Sequence, residues 1–227
     1  VRPTILLINP NTSDATTAMM VAIAQEEAAD QTRIDGISAP FGAPLIVDEP
    51  ALSIAAEAVG SLAGAVRDRA VDGVIVAAFG DPGLEVLRGQ VDCPVTGIAE
   101  ASMAEAARDA EGRPRRFSVI TTTPLLVRKI ERRATDYGYR DRFAGVRLTP
   151  GDPATLMADR EALTEALGTA CRQAVELDGA QALVIGGGPL ALAARALQGR
   201  FAIPIVEPIP AAVRLALRRQ ERPARRD

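Results

Sequence analysis

The chain is an unbroken alternation of short apolar runs and Ala-rich amphipathic stretches, and few folds accommodate that pattern. The apolar runs are Thr4 to Ile8, Ile34 to Ser38, Gly73 to Phe79, Pro94 to Ile98, Phe117 to Thr121, Val146 to Thr149, Ala182 to Ile185 and Pro204 to Val206. Continuous Val/Ile/Leu segments bounded by turn residues are what strands buried on both faces look like. The stretches between them, such as Asp14 to Asp30 and Ala51 to Ala70, read as helices. Strand, helix, strand, helix in that order builds a parallel sheet, so the fold class is α/β.

The strands fall into two sets that repeat one another. Ile5 to Ile8 runs into the polar loop Asn9 to Ser13, and Val74 to Ala77 runs into Phe79-Gly80-Asp81-Pro82-Gly83. In the second half, Ser118 to Ile120 runs into Thr121-Thr122-Thr123-Pro124, and Leu183 to Ile185 into Gly186-Gly187-Gly188-Pro189. In both halves the second member follows the first at a similar interval, about seventy residues, which reads as an internal duplication. The expected architecture is two similar lobes related by a pseudo-two-fold axis, each a parallel sheet flanked by helices. Lobe 1 is expected over 1–97 plus 210–219, lobe 2 over 98–209, with a flexible tail at 220–227 and a ligand cleft between the lobes.

Composition narrows the chemistry. Aromatic residues make up 3% and tryptophan is absent, so no stacking platform for bases is expected. A net charge of −3 gives no concentrated basic surface and hence no nucleic-acid partner. The basic cluster Arg214 to Arg226 reads as a solvated helix face and a frayed tail. No signal segment or membrane-length apolar run is visible, so a cytoplasmic protein without membrane contact is expected. The chain contains no histidine, which removes the commonest general base and zinc ligand together. Its two cysteines, Cys93 and Cys171, have no metal spacing and read as packing residues.

Ligands in open parallel sheets bind beyond the carboxyl ends of the strands, where all four polar loops lie. Small residues there let backbone amides approach an anion at a helix start. Thr12 and Ser13, and Thr122 and Thr123, are N-cap candidates. Gly186-Gly187-Gly188 lacks the glycine spacing of a dinucleotide fingerprint. Asp81 reads as a cap for the helix that follows it, and Glu100 as a cap or a ligand-orienting group. Asp48 and Glu49 read as a solvated loop.

Four motifs together, Ile8-Asn9-Pro10-Asn11-Thr12-Ser13, Ala77-Ala78-Phe79-Gly80-Asp81-Pro82-Gly83, Gly97-Ile98-Ala99-Glu100-Ala101 and Val119-Ile120-Thr121-Thr122, resemble the Asp/Glu/hydantoin racemase superfamily, in its hydantoin and allantoin racemase branch. The resemblance implies a two-lobed, cofactor-free, homo-oligomeric protein that acts on a small chiral carboxylate, amino-acid derivative or 5-substituted hydantoin. It also implies a mechanism in which one cysteine thiolate removes the α-proton and a second thiol returns one from the opposite face. This sequence departs at both cysteine positions, which hold Ala78 and Gly187. By resemblance, Asn11, Phe79, Gly80, Thr121, Thr122, Gly187, Gly188 and Pro189 are expected to bind substrate, with Asp81 and Glu100 behind them. Three expectations follow. Ala78 stands where a parent enzyme carried cysteine, leaving one thiol at most and suiting a one-sided reaction like that of the arylmalonate decarboxylases. Alternatively, Asp81, Glu100 or Thr122 does the chemistry without thiols. The third is a non-catalytic ligand-binding relative.

Overall fold

The computed structural model describes residues 2–220. The tail expected at 220–227 lies outside them apart from its first residue. The chain divides into two compact units. Unit 1 comprises Val1–Ile46, Pro50–Ala101 and the chain from Ile209, and unit 2 comprises Val47–Glu49 and Ser102–Pro208.

Unit 1 contains strands β1 (Thr4–Asn9), β2 (Arg33–Ser38), β3 (Gly73–Val76) and β4 (Val95–Gly97), hydrogen-bonded in the order β2-β1-β3-β4. All pairs are parallel, with Leu6 opposite Asp35 and Val74, and Ile75 opposite Thr96. Its helices are α1 (Asp14–Ala28), α2 (Glu49–Ser61), α3 (Ala63–Arg69), α4 (Leu84–Arg88), the start of α5 (Ile98–Ala106) and α10 (Pro208–Gln220). Unit 2 repeats the plan with β5 (Phe117–Thr121), β6 (Phe143–Leu148), β7 (Ala182–Ile185) and β8 (Ile205–Val206), in the order β6-β5-β7-β8 and again parallel. Its helices include α6 (Val127–Asp136), α7 (Pro153–Ala158), α8 (Arg160–Glu176) and α9 (Ala191–Leu197).

Burial explains the apolar runs. Ile5, Leu6, Leu7 and Ile8 are all buried although successive side chains point to opposite faces, so both faces of β1 are covered. One face of the unit 1 sheet packs Leu6, Ile8, Val74 and Val76 against Val59, Leu62, Val66 and Leu87. The equivalent face in unit 2 packs Ile120, Leu183 and Ile185 against Leu163, Leu167, Cys171 and Leu197. Two edge strands differ: β2 and β6 are only partly covered; β2 carries Arg33, Asp35 and Ser38, whereas β6 has a single charged residue, Arg147.

Three boundaries depart most from the sequence expectation, beside shifts of one or two residues such as Ile98, which opens α5 instead of closing β4. The run read as Gly73 to Phe79 stops being a strand at Val76, because Ala78 to Asp81 folds into a turn closed by Asp81 N–H donating to the Ala78 carbonyl (3.0 Å). The helix read over Ala51 to Ala70 is two helices that break at Leu62. Strand β6 starts at Phe143, three residues before the predicted Val146, through an irregular register beside Phe117.

Candidate active-site loops

The four polar loops lie at the carboxyl ends of the two central strands of each sheet, β1 and β3 in unit 1 and β5 and β7 in unit 2.

After β1, the buried Asn9 organises its loop. Its Nδ2 donates to Asn11 Oδ1 (2.7 Å), Ser13 O (3.1 Å) and Thr17 Oγ1 (2.9 Å), and its Oδ1 accepts from Asn11 N (3.2 Å). Asn11 Oδ1 also accepts from Ser13 N (2.9 Å). The carboxamide oxygen of Asn11 is therefore spent on the loop, and its Nδ2 donor makes no hydrogen bond among the described residues. Ser13 caps α1, accepting from Thr16 N (3.3 Å), as its position before Asp14 predicts.

After β3, the turn through Ala78, Phe79 and Gly80 is pinned by Asp81. This fully buried carboxylate accepts from Ala99 N (2.9 Å) and Glu100 N (2.8 Å), which caps the amino end of α5. The sequence reading of Asp81 as a cap was right in kind and wrong in target. The helix it caps is α5, which starts at Ile98 rather than at Leu84 where the expected α4 begins, because the parallel β3–β4 pairing brings that helix start beside the loop. The close approach explains Gly97: a β-carbon there would stand 2.2 Å from Asp81 Cγ. Ala78 is half-buried and has a negative φ, while Phe79 is buried.

Glu100 is held by two arginines. Arg219 donates to both carboxylate oxygens (2.7 and 3.0 Å), and Arg88 Nη2 donates to Oε2 (2.7 Å). Burial pushes the carboxyl up, but the hydrogen bonds and charge of Arg219 and the charge of Arg88 outweigh it and hold the group below its ordinary value. The basic C-terminal segment is thus only partly a solvated face. Arg214 pairs with Glu27 (2.7 Å) and Arg219 with Glu100, whereas the arginines beyond residue 220 lie outside the described residues. Sequence reading missed Arg88 and Arg219 because their partner lies over a hundred residues from the latter; no local spacing encodes the pair.

In unit 2, Thr121 Oγ1 lies 2.9 Å from Thr123 Oγ1, and both Thr121 and Thr122 are buried. Thr123 occupies the cap position of the turn Pro124–Leu126, but its side chain makes no capping bond and is engaged with Thr121 instead. The predicted Thr cap is therefore absent there. After β7, Gly186 N donates to Ile120 O (2.8 Å) and Leu190 N to Gly187 O (3.1 Å). Gly187 has φ +137°, a conformation that side-chain-bearing residues rarely adopt, although a β-carbon would meet only ordinary contacts at 3.4 Å and beyond. Gly188 and Pro189 open the short 3₁₀ turn Gly188–Leu190.

Neither cysteine joins these loops in sequence position or chemistry. Cys171 is buried in α8, where burial pushes its thiol up to about 12. Cys93 sits before β4, at the strand's amino end; burial and the charges of Asp92 and Asp72 raise its pKa against a lowering backbone hydrogen bond. Both shifts disfavour the thiolate, the form in which a cysteine acts as a base. Glu49 opens α2 and so is not loop. Among the described residues no group of His, Cys, Asp or Glu side chains is arranged to hold a metal ion, and no helix is long and apolar enough to cross a membrane.

Comparison with known proteins agrees with this geometry across nearly the whole chain. A model of the Asp/Glu/hydantoin racemase family matches residues 5–216. A hydantoin racemase of Paenarthrobacter aurescens is 30% identical over 215 residues, covering 93% of this chain and 89% of that protein. A hydantoin racemase of Pseudomonas sp. (strain NS671) is 33% identical over 214 residues, covering 93% and 84%. Allantoin racemase from Klebsiella pneumoniae superposes with a TM-score of 0.86 at 33% identity, over 94% of this chain and 86% of that one. With the duplicated four-strand units, the strand-end loops and these matches in agreement, the chain belongs to the Asp/Glu/hydantoin racemase family.

Proposed function

We propose that this chain binds a 5-substituted hydantoin or a related small chiral carboxylate at its strand-end loops, and that residue 78 is the proton-transfer position of unit 1. In this reading Phe79, Gly80, Gly187 and Gly188 offer backbone amides to the ligand's carbonyl or carboxylate oxygens. Asn11 Nδ2, Thr121 and Thr122 meet its polar edge, and Pro189 borders it. Amide donors of this kind also stabilise an enolate if one forms.

The observation that carries the reading is the occupation of the carboxylates. Asp81 is committed to two backbone amides of α5, and Glu100 to two guanidinium groups. That leaves both carboxylates named for the non-thiol reading engaged elsewhere, and a threonine hydroxyl does not remove a carbon-bound proton unaided. The chain with alanine at 78 therefore binds without turning over. Its backbone at that position accepts a cysteine, and a cysteine there installs the missing base.

Titration of the unaltered protein with enantiopure 5-substituted hydantoins, allantoin, amino acids and arylmalonates, followed by calorimetry or ligand-observed NMR, tests this. Saturable binding of a hydantoin or allantoin with no proton exchange above the spontaneous rate is the expected result. Absence of binding across the panel would overturn the proposal, and carbon dioxide release from a malonate would replace it with a decarboxylase.

A further inference from the structure

Asn9 closes β1 and is 1% exposed, so both polar atoms of its carboxamide need partners. Both have them. Its Oδ1 accepts from the backbone Asn11 N (3.2 Å), and its Nδ2 donates to Asn11 Oδ1 (2.7 Å) and Thr17 Oγ1 (2.9 Å). The orientation of the group is therefore set by a backbone amide, which can only donate. A chain of hydroxyls sets it a second time from the other side. Ser38 Oγ gives its one hydrogen to Asp14 Oδ1 (2.6 Å), so Thr17 is the donor across its 2.7 Å contact with Ser38, with Ser13 O as a longer second acceptor (3.1 Å). Thr17 Oγ1 is then left to accept from Asn9 Nδ2.

Asn11 is fixed by the same logic. Its Oδ1 accepts from Asn9 Nδ2 and from the backbone Ser13 N (2.9 Å), and a reversed carboxamide would set its own donor against both. Its Nδ2 has no hydrogen-bond partner among the described residues, although Asn11 is only 5% exposed. That nitrogen is not sealed in the interior: among the described residues, the buried side-chain polar atoms without a partner are Ser118 Oγ and Gln220 Nε2. A nearly buried side chain thus opens outward through one atom, a donor with two hydrogens, at the carboxyl end of a central strand. Pro10, between the two asparagines, narrows the backbone freedom of the turn that holds them.

We infer that Asn9 is a positioning residue: it acts through Asn11, holding that carboxamide so that only its Nδ2 donor faces the ligand. A freely turning carboxamide could meet either kind of edge on a hydantoin, a carbonyl oxygen or a ring N–H. This one meets an oxygen, of a carbonyl or a carboxylate, and turns away a ring N–H placed in the same spot. The task explains the residue type at position 9. It needs an acceptor for Asn11 N and a donor for Asn11 Oδ1 on one short planar group, which a carboxamide supplies and an isosteric carboxylate does not. This inference rests on the proposed function above, and it deepens that reading by saying which edge of the ligand the Asn11 loop takes and what enforces the choice.

The test is a double-mutant cycle read by calorimetry with 5-isopropylhydantoin, on the unaltered protein, Asn9→Asp, Asn11→Ala and the double variant, each checked by circular dichroism. Asn9→Asp keeps the acceptor for Asn11 N and removes the donor, so Asn11 must turn its own Nδ2 inward. It is expected to weaken binding about tenfold when Asn11 is present and less than about twofold in the Asn11→Ala background. Equal losses in the two backgrounds would overturn the inference by making Asn9 a structural residue alone, and so would no loss in either. The 2-thio and 4-thio analogues test the choice of edge, because sulfur is the poorer acceptor. One of them should bind the unaltered protein about tenfold more weakly than the parent, and that discrimination should fall below about twofold in Asn11→Ala. Parity of both analogues with the parent would overturn the oxygen selectivity while leaving binding at the other loops standing. NMR of the unaltered protein gives the same answer without a variant: the Asn11 side-chain amide signals should shift on saturation with 5-isopropylhydantoin while those of Asn9 stay in place. An unresponsive Asn11 would overturn the inference alone, and no binding of 5-isopropylhydantoin by the unaltered protein would overturn both it and the proposed function.

Discussion

The β3 loop of unit 1 and the β7 loop of unit 2 occupy equivalent places in duplicated sheets, yet they are built on different terms. In the first, Ala78 has ordinary backbone geometry, and the turn is locked by a buried carboxylate reaching across to α5. In the second, Gly187 adopts φ +137°, and among the described residues no carboxylate bonds to Gly186 to Pro189. One position is a half-buried alanine whose φ lies in the range that any residue adopts. The other is a glycine whose conformation resists any side chain. The two positions thus differ in what they ask of a side chain: residue 78 has backbone geometry that any residue adopts, while a side chain at residue 187 would be held at a strained φ.

The anchor of the first loop gives the largest expected effect. Gly97→Ala drives a methyl group into the Asp81 carboxylate and displaces it from two capping amides. A loss of about 3–5 kcal/mol in urea unfolding is expected from overpacking and a lost cap together. A loss under about 1 kcal/mol would show that the loop does not depend on this anchor.

A direct contrast of the two positions comes next. Gly187→Cys should cost about 2 kcal/mol for a side chain held at positive φ, whereas Ala78→Cys at a half-buried site should cost less than about 1 kcal/mol. Equal costs in the same unfolding assay would erase the distinction drawn here.

The ion pairs behind the first loop give an effect that pH can switch off. Glu100→Gln should lower stability by about 2 kcal/mol near neutral pH, the scale of hydrogen bonds to a charged group. The folded-state pKa of Glu100 is depressed, so its contribution is present above the unfolded carboxyl's value and is lost as pH falls through the folded one. The gap between the two proteins should thus be flat from pH 8 to about pH 6 and close below about pH 4.5. A gap that persists unchanged at lower pH would place the effect in packing rather than charge.

Much of the fold is legible in the sequence, and the reason is local. Each central strand is a continuous apolar run because both its faces are buried, and each is followed by turn residues that a parallel sheet needs at its carboxyl end. What escaped was everything set by distant pairing. The real target of Asp81 depends on β3 lying beside β4, and the bonds from Arg219 to Glu100 join residues 119 apart in the chain. The end of β3 was misplaced for a related reason: Ala77, Ala78 and Phe79 are as apolar as a strand, and only the backbone of Gly80 and Asp81 shows that the chain has turned. Of the candidate site, the loops were legible from their residue types. The strain at Gly187 was not, because a glycine run gives no sign of which member carries a positive φ.

The most direct test of the unequal loops is proton exchange in Ala78→Cys. An enantiopure 5-substituted hydantoin is incubated with this variant in deuterated buffer, with NMR following deuterium at C5 and chiral chromatography following configuration. A single base removes and returns the proton on one face, so deuterium should enter faster than the configuration inverts. Inversion as fast as exchange would mean that unit 2 supplies a second proton-transfer group despite Gly187, and no exchange above the spontaneous rate would remove residue 78 from the chemistry.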